Sequence, residues 1–303
     1  MKQTDELIYR ASQEIDSLEE FFNLGRDCLE LLGDIDFAPV SSSQYQNYML
    51  PIVPESGAHL RPVNQNLFVT DAYELDFHRA NFIRLTEQLR NIRGNLDSLN
   101  GELQQFIEKG LIVKSIYTTL QAIGCILDTS INTQASRKNF GQRFEDFVKV
   151  LLNQLGIANA DFALKIKIPA IDRYYRVLPD VIMNASEKIR SSRSVFDDRD
   201  TILSVKTSSK DRMKLIFVDR FALKRILDSE KINYIALYHN DVQRSGTKNI
   251  RSTFVPDHYL VFCYVFGDLP LYYLDPPIIS KDSRFHERIK TFDTFILHDI
   301  WDC

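Results

Sequence analysis

An α/β fold is predicted, a mixed sheet flanked by helices behind a mostly helical N-terminal region, and three observations predict it. Apolar residues recur at helical spacing over most of positions 1–130, apart from one proline- and serine-rich break. After that point helical stretches alternate with short runs rich in β-branched and aromatic residues, bounded by turn formers. Charge is also uneven: Arg137 to Arg225 holds 19 Lys and Arg against 11 Asp and Glu, whereas the remainder holds 18 against 30. At 303 residues the chain exceeds what a single hydrophobic core comfortably serves. Two lobes are therefore expected, 1–130 and 131–303.

Residues 1–33 read as amphipathic helix, with Leu18, Phe21, Phe22, Cys28, Leu29 and Leu32 as the apolar stripe. Positions 34–70 contain Pro39, Ser41, Ser42, Ser43, Pro51, Pro54, Gly57 and Pro62, a pattern that predicts a long loop or linker. Helix resumes from Ala72 to about Lys109, breaks at Gly110 and continues from Leu111 to Leu127. In the second region a helix is expected over Gly141–Leu155 and strands over Phe162–Ile168, Tyr174–Met183 and Thr201–Lys206. A helix from about Asp211 to Leu227 follows, then strands at Ile232–Tyr238 and His258–Phe266. That order, α-β-β-β-α-β-β, is one a mixed sheet with flanking helices accommodates.

No uninterrupted apolar run is long enough to cross a bilayer, and the N-terminal segment lacks an apolar signal-peptide core. Cys28, Cys125, Cys263 and Cys303 are far apart and lack metal-ligand spacing, so free thiols in a reducing cytoplasm are expected. The net charge of −4 argues against a polyanionic partner, but screening confines that repulsion to about a Debye length, and the basic middle third remains able to collect phosphates.

Chemistry concentrates in this basic third. Pro179-Asp180 lies inside an apolar strand, between Leu178 and Val181-Ile182-Met183, where an unpaired carboxylate is costly. Twenty-six residues later Lys206 ends a strand in which alternation places it on a face with Ile202 and Ser204. Glu145 shares a helix face with Gly141, Val148 and Leu152, and Asp219 has Leu215, Ile216, Ala222 and Leu223 at i−4, i−3, i+3 and i+4. Each feature alone reads as ordinary structure: a turn after proline, a snorkelling lysine, a helix start at Lys210-Asp211-Arg212. Together, inward carboxylates beside one lysine are what metal-assisted phosphodiester hydrolysis needs.

These residues resemble a family. Pro179-Asp180, Ser204-Val205-Lys206 and an acid thirteen positions beyond the lysine are similar to a variant signature of the PD-(D/E)XK restriction endonucleases, that of the EcoRII, SsoII and NgoMIV group. There, Ser or Thr replaces the carboxylate two residues before the lysine, and an acid on the next helix supplies the ligand. The run Lys206-Thr-Ser-Ser-Lys-Asp-Arg212 is similar to the segment with which that group reads a CC:GG half-site, and Gln134 matches a base-contacting glutamine. The resemblance covers about Gln134 to Asp219, and it departs from the group in having Asp rather than Glu at 219.

The resemblance implies a Mg²⁺-dependent type II endonuclease acting on double-stranded DNA at a CCGG, CCNGG or CCWGG site and leaving 5′-phosphate ends. Asp180 and Asp219 would hold the metal, Lys206 would assist the attacking water, and Ser204 and Glu145 would complete the catalytic set. Lys210, Asp211, Arg212 and Gln134 would read bases, a role for which Arg and Lys donors to guanine and an Asp acceptor to cytosine are suited. A homodimer, alone or paired into a tetramer, would match a palindromic site, and a methyltransferase would protect host DNA. The single tryptophan, Trp301, lies outside the N-terminal loop, leaving Phe68, Tyr45 or Tyr48 to stack on an extruded central base, or no base extruded. The alternatives are a nuclease of the same superfold without fixed specificity and a DNA-binding regulator that cuts nothing.

Overall fold

The computed structural model describes residues 2–302 except 34, 54–55, 131, 170 and 228–231, and leaves out the side chains of Lys2 and Asp211. Helices α1 (Lys2–Ser12) and α2 (Leu18–Leu32) divide the first amphipathic segment. The Ser17 side chain accepts the Glu20 N–H at 3.1 Å and so satisfies one of the orphan donors that begin α2. The segment expected to be loop contains β1 (Phe37–Pro39), β2 (Tyr48–Pro51) and β3 (Val63–Asn64), a small antiparallel sheet. Its strands are two to four residues long and interrupted by prolines, too short for a period-two pattern to register.

Helices α3 (Ala72–Ile92), α4 (Gly101–Glu108), α5 (Leu111–Asp128) and α6 (Thr133–Gln154) follow. By length and composition α5 is apolar enough to span a membrane, yet it is 83 % buried as the central helix of this layer. Gly25 lets α2 approach it closely, since a Cβ there would lie 2.7 Å from Cγ2 and 3.0 Å from Cα of Thr119. The sixth helix starts eight residues before the expected Gly141, with Asn132 accepting the Ala135 N–H as its cap.

The second half supplies β4 (Asn159–Ala160), β5 (Leu164–Lys167), β6 (Tyr174–Val177), β7 (Val181–Met183), α7 (Glu187–Ser192), β8 (Thr201–Lys206), α8 (Met213–Leu227) and β9 (Asn233–Asn240). Then come β10 (Val242–Arg244), β11 (Ile250–Ser252), α9 (Pro256–Phe266), β12 (Leu271–Asp275), β13 (Ile289–Thr291) and α10 (Phe292–Leu297). The expected strand at Tyr174–Met183 is two strands, because Pro179 has no N–H to give a ladder. The expected strand at His258–Phe266 is a helix.

The main sheet has the order β13-β12-β9-β8-β7-β4. Strands β13, β12, β9 and β8 run parallel, whereas β7 and β4 pair antiparallel, so the sheet is mixed as expected. Alternation divides its side chains between two cores. Leu203, Val205, Ile235, Leu237 and Leu274 face the N-terminal helices and α6, while Ile202, Ala236, Tyr238, Leu271 and Tyr273 face α8 and α9. The first core runs from Leu7 through Leu151 to Ile300, so the helical region and one face of the sheet share an interior. Cys28, Cys125 and Cys263 are buried and free, and Cys303 lies outside the described residues.

Candidate active site

Strands β7 and β8 pair with Val181 opposite Leu203, so the residue before β7, Asp180, falls beside Ser204. Its Oδ2 accepts from the Val205 N–H at 2.8 Å, from Ser204 Oγ at 3.4 Å and from Lys206 Nζ at 2.5 Å. Glu145 comes from α6, with Oε1 4.0 Å from the same Nζ. Asp180, Ser204, Lys206 and Glu145 are therefore gathered at one point, with the lysine between two carboxylates. Burial, and then the charge of Asp180, push the Glu145 carboxyl up to about 7 despite the nearby lysine.

An open cleft of about 440 Å³ leads to this point. Arg137, Lys138, Lys206, Lys210 and Arg212 line it against one acid, Glu145. It adjoins a second cavity of about 390 Å³, since Arg137, Thr207, Ser208 and Lys210 line both. Lys210 and Arg212 belong to a single 3-10 turn that precedes α8 rather than to the helix start itself. The Ser209 carbonyl accepts the N–H groups of Arg212 and Met213, fixing that turn over the cleft. The Asp211 side chain lies outside the described residues.

Two expected site residues, Asp219 and Gln134, are not among those that line the cleft. Asp219 is half-buried on α8, where its Oδ1 accepts from the Tyr175 hydroxyl at 3.0 Å. Ile216 and Leu223 beside it are buried, but Leu215 is 46 % exposed, so the apolar face is narrower than its spacing suggests. Burial, and then the charges of Asp219 and Asp180, push the Tyr234 hydroxyl upward. Gln134 is exposed in the first turn of α6 and lines neither cavity, while Thr133, Ser136 and Arg137 line the second. The aromatic candidates for stacking on a base, Tyr45, Tyr48 and Phe68, are buried in hydrophobic clusters and have no free face to offer.

The donor chemistry fits a hard cation. Glu145 lines the cleft and Asp180 meets it through Lys206, and the penalty on ionised Glu145 is one that a cation relieves. Among the described residues no three His, Cys, Asp or Glu side chains are gathered closely enough to enclose a metal ion by themselves. Such a site suits Mg²⁺, which keeps several waters and shares substrate oxygens rather than requiring an all-protein cage.

The mixed sheet flanked by helices on both faces matches the fold of a restriction endonuclease. The chain is similar to the crystal structure of the type IIP restriction endonuclease Kpn2I, at a TM-score of 0.72 and 19 % identity over 100 % of this chain and 97 % of that one. Restriction endonuclease PspGI, solved as a complex with substrate DNA, aligns over 74 % of this chain and 91 % of that one at 16 % identity and a TM-score of 0.40, too loosely to support an argument. No protein-family profile and no curated protein matches the sequence.

Proposed function

We propose that the protein is a type II restriction endonuclease that hydrolyses phosphodiester bonds of double-stranded DNA at a short palindromic CC...GG site and leaves 5′-phosphate ends. The observation that carries this reading is Lys206 held between Asp180 and Glu145 on the wall of a cleft whose other charges are cationic. Arg137, Lys138, Lys210 and Arg212 would take the phosphates and base edges. Lys206 Nζ would orient the attacking water, with Asp180 holding the ammonium in place. Glu145 would sustain the lysine's charge from the other side.

Mg²⁺ is the proposed cofactor, held by Asp180 together with Asp219, and when bound it would lower the pKa of a coordinated water and neutralise charge developing on the phosphate. Two copies related by a two-fold axis would match the two half-sites of a palindrome, and a methyltransferase of the same specificity would be needed in the same cell.

Digestion of a plasmid by the purified protein in Mg²⁺, followed by sequencing of the ends, tests the reading. Discrete fragments with 5′-phosphate ends inside a CC...GG sequence, abolished by EDTA, are expected. A smear would indicate a nuclease without fixed specificity, and binding without cleavage would indicate a regulator.

A further inference from the structure

The second cavity is built by a segment that the catalytic reading does not use. Strands β10 and β11 form a hairpin with Val242 opposite Ser252, Gln243 opposite Arg251 and Arg244 opposite Ile250. Alternation separates its faces. Val242 and Ile250 are buried against Tyr45, Tyr48 and Leu50 of the small N-terminal sheet, the Gln243–Arg251 pair takes the opposite face, and Val242, Gln243, Arg244 and Arg251 all line the cavity.

The hairpin is fixed at several points. At its base the Asp241 Oδ1 accepts from the Thr253 N–H at 3.0 Å and the Phe254 N–H at 2.7 Å. Near its tip the Lys248 carbonyl accepts from the Ser41 N–H at 2.9 Å, and the Ser245 N–H closes the turn onto the Asn249 carbonyl at 2.7 Å. Gln243 Nε2 donates to Ser208 Oγ at 3.0 Å, which keys the hairpin to the Lys206–Arg212 run. Gln243 keeps its Oε1 and a second N–H for another partner.

The charge of the cavity points to a polyanion. Arg61, Arg137, Lys210, Arg244 and Arg251 line it, and Asp128 is the one acid in that lining. Asp128 is bonded by Arg61 through two hydrogen bonds of 2.9 Å and also feels the charge of Arg244, so five cations share one acid in the lining. A two-stranded ribbon is also one of the two elements that the major groove of duplex DNA admits.

We propose that the β10–β11 hairpin is a second base-reading element, which enters the major groove beside the Lys206–Arg212 run and reads base pairs flanking the CC...GG core through Gln243 and Arg251. Gln243 has the acceptor and donor that adenine N6 and N7 require, and Arg251 the paired donors that guanine O6 and N7 require. Arg244 and Arg137 serve the phosphates on either side. The recognition site is thereby longer than the segment that the 3-10 turn can cover. This inference rests on the reading of the protein as a site-specific DNA endonuclease.

Cleavage of a duplex library with a fixed core and randomised flanks, by wild type, Gln243→Ala, Arg251→Ala and Arg212→Ala of the full chain, tests it. Arg251 and Arg212 are exposed, so neither alanine variant removes packing, and thermal unfolding checks that all four proteins are folded. Wild type is expected to select defined flanking bases. Gln243→Ala and Arg251→Ala are expected to lose that selection by about 5- to 150-fold at one position each while still requiring the core. Arg212→Ala is expected to do the reverse. A wild type indifferent to its flanks overturns the proposal, as does a Gln243→Ala and Arg251→Ala pair whose flank selection is unchanged even if binding weakens uniformly, the mark of phosphate contacts. A wild type that cuts at no fixed core fails the underlying reading instead, and the hairpin assignment falls with it.

Discussion

Lys206 donates to Asp180, which is itself fixed by the Val205 N–H, so the lysine's position depends on the β7–β8 pairing rather than on side-chain freedom. Lys206→Ala and Asp180→Ala are each expected to lower single-turnover cleavage by about 10²–10⁴-fold or more with cognate DNA still bound, because the phosphate and base contacts come from other residues. Wild-type cleavage by either would falsify the active-site assignment. Asp219, the other proposed metal ligand, is the finer case, since its Oδ1 accepts from the Tyr175 hydroxyl. Asp219→Ala is expected to raise the Mg²⁺ concentration needed for half-maximal cleavage and Tyr175→Phe to change it little. A dead Glu145→Ala beside an active Asp219→Ala would instead make Glu145 the second ligand. The meeting of Asp180, Ser204, Lys206 and Glu145 was legible in the sequence, because strand register and helix period determine which residues face one another. Gln134, read from the resemblance and its spacing to Glu145 rather than from a helix face, is exposed on the first turn of α6. Glu230, the other downstream acid, lies outside the described residues.

The 3-10 turn at Lys210–Arg212 is held at its root by Ser209, which is fully buried with Oγ 3.0 Å from Thr253 Oγ1 at the base of the β10–β11 hairpin. A turn so tethered presents Arg212 at a fixed angle to the cleft, which is what a bidentate base contact needs. Arg212→Ala is expected to lose about 1–3 kcal/mol of discrimination at a G:C pair of the core, whereas Lys149→Ala, whose Nζ is 2.7 Å from Asp161, should leave discrimination unchanged. Equal weakening of cognate and single-mismatch binding by Arg212→Ala would make it a phosphate contact. Segments whose apolar period was long were read as helix, although 72–109 is two helices, α3 and α4, parted after Arg93 and Gly94 at positive φ, and the other misreadings also have local causes. In His258–Phe266 nearly every side chain is apolar or aromatic, so periodicity could not separate strand from helix. Pro256 at the first helical turn and Gly267 after the end were the signals that decide it. Strand β12 was missed because it is a five-residue run between Pro270 and Pro276 with no polar residue until Asp275 to mark alternation.

At the scale of the whole molecule, the small N-terminal sheet is attached to the main sheet through a buried acid. Asp275, at the end of β12, accepts from the Tyr48 hydroxyl and from Asn64 Nδ2, each at 2.8 Å, while the Asn64 N–H donates to the Tyr117 hydroxyl at 2.9 Å. Such long-range pairings leave no trace in local periodicity, which is why 34–70 read as a linker although it is stapled to the core. Burial pushes the Asp275 carboxyl up to about 7, more than its two donors lower it. A raised carboxyl binds its proton more tightly in the folded state than in the unfolded one. Its contribution to stability is therefore complete below the ordinary value of 3.8 and is lost as pH rises toward 7. At pH 8 the carboxylate is charged and depends on both donors, so Tyr48→Phe should cost about 1–3 kcal/mol there, and less at pH 5.5, where the neutral acid demands less. Asp275→Asn removes the titration, and its unfolding free energy should change less between the two pH values than that of wild type. Urea unfolding of the three proteins at both pH values measures this, and a Tyr48→Phe penalty independent of pH would mean that the hydroxyl stabilises the junction by packing alone, without supporting a charge.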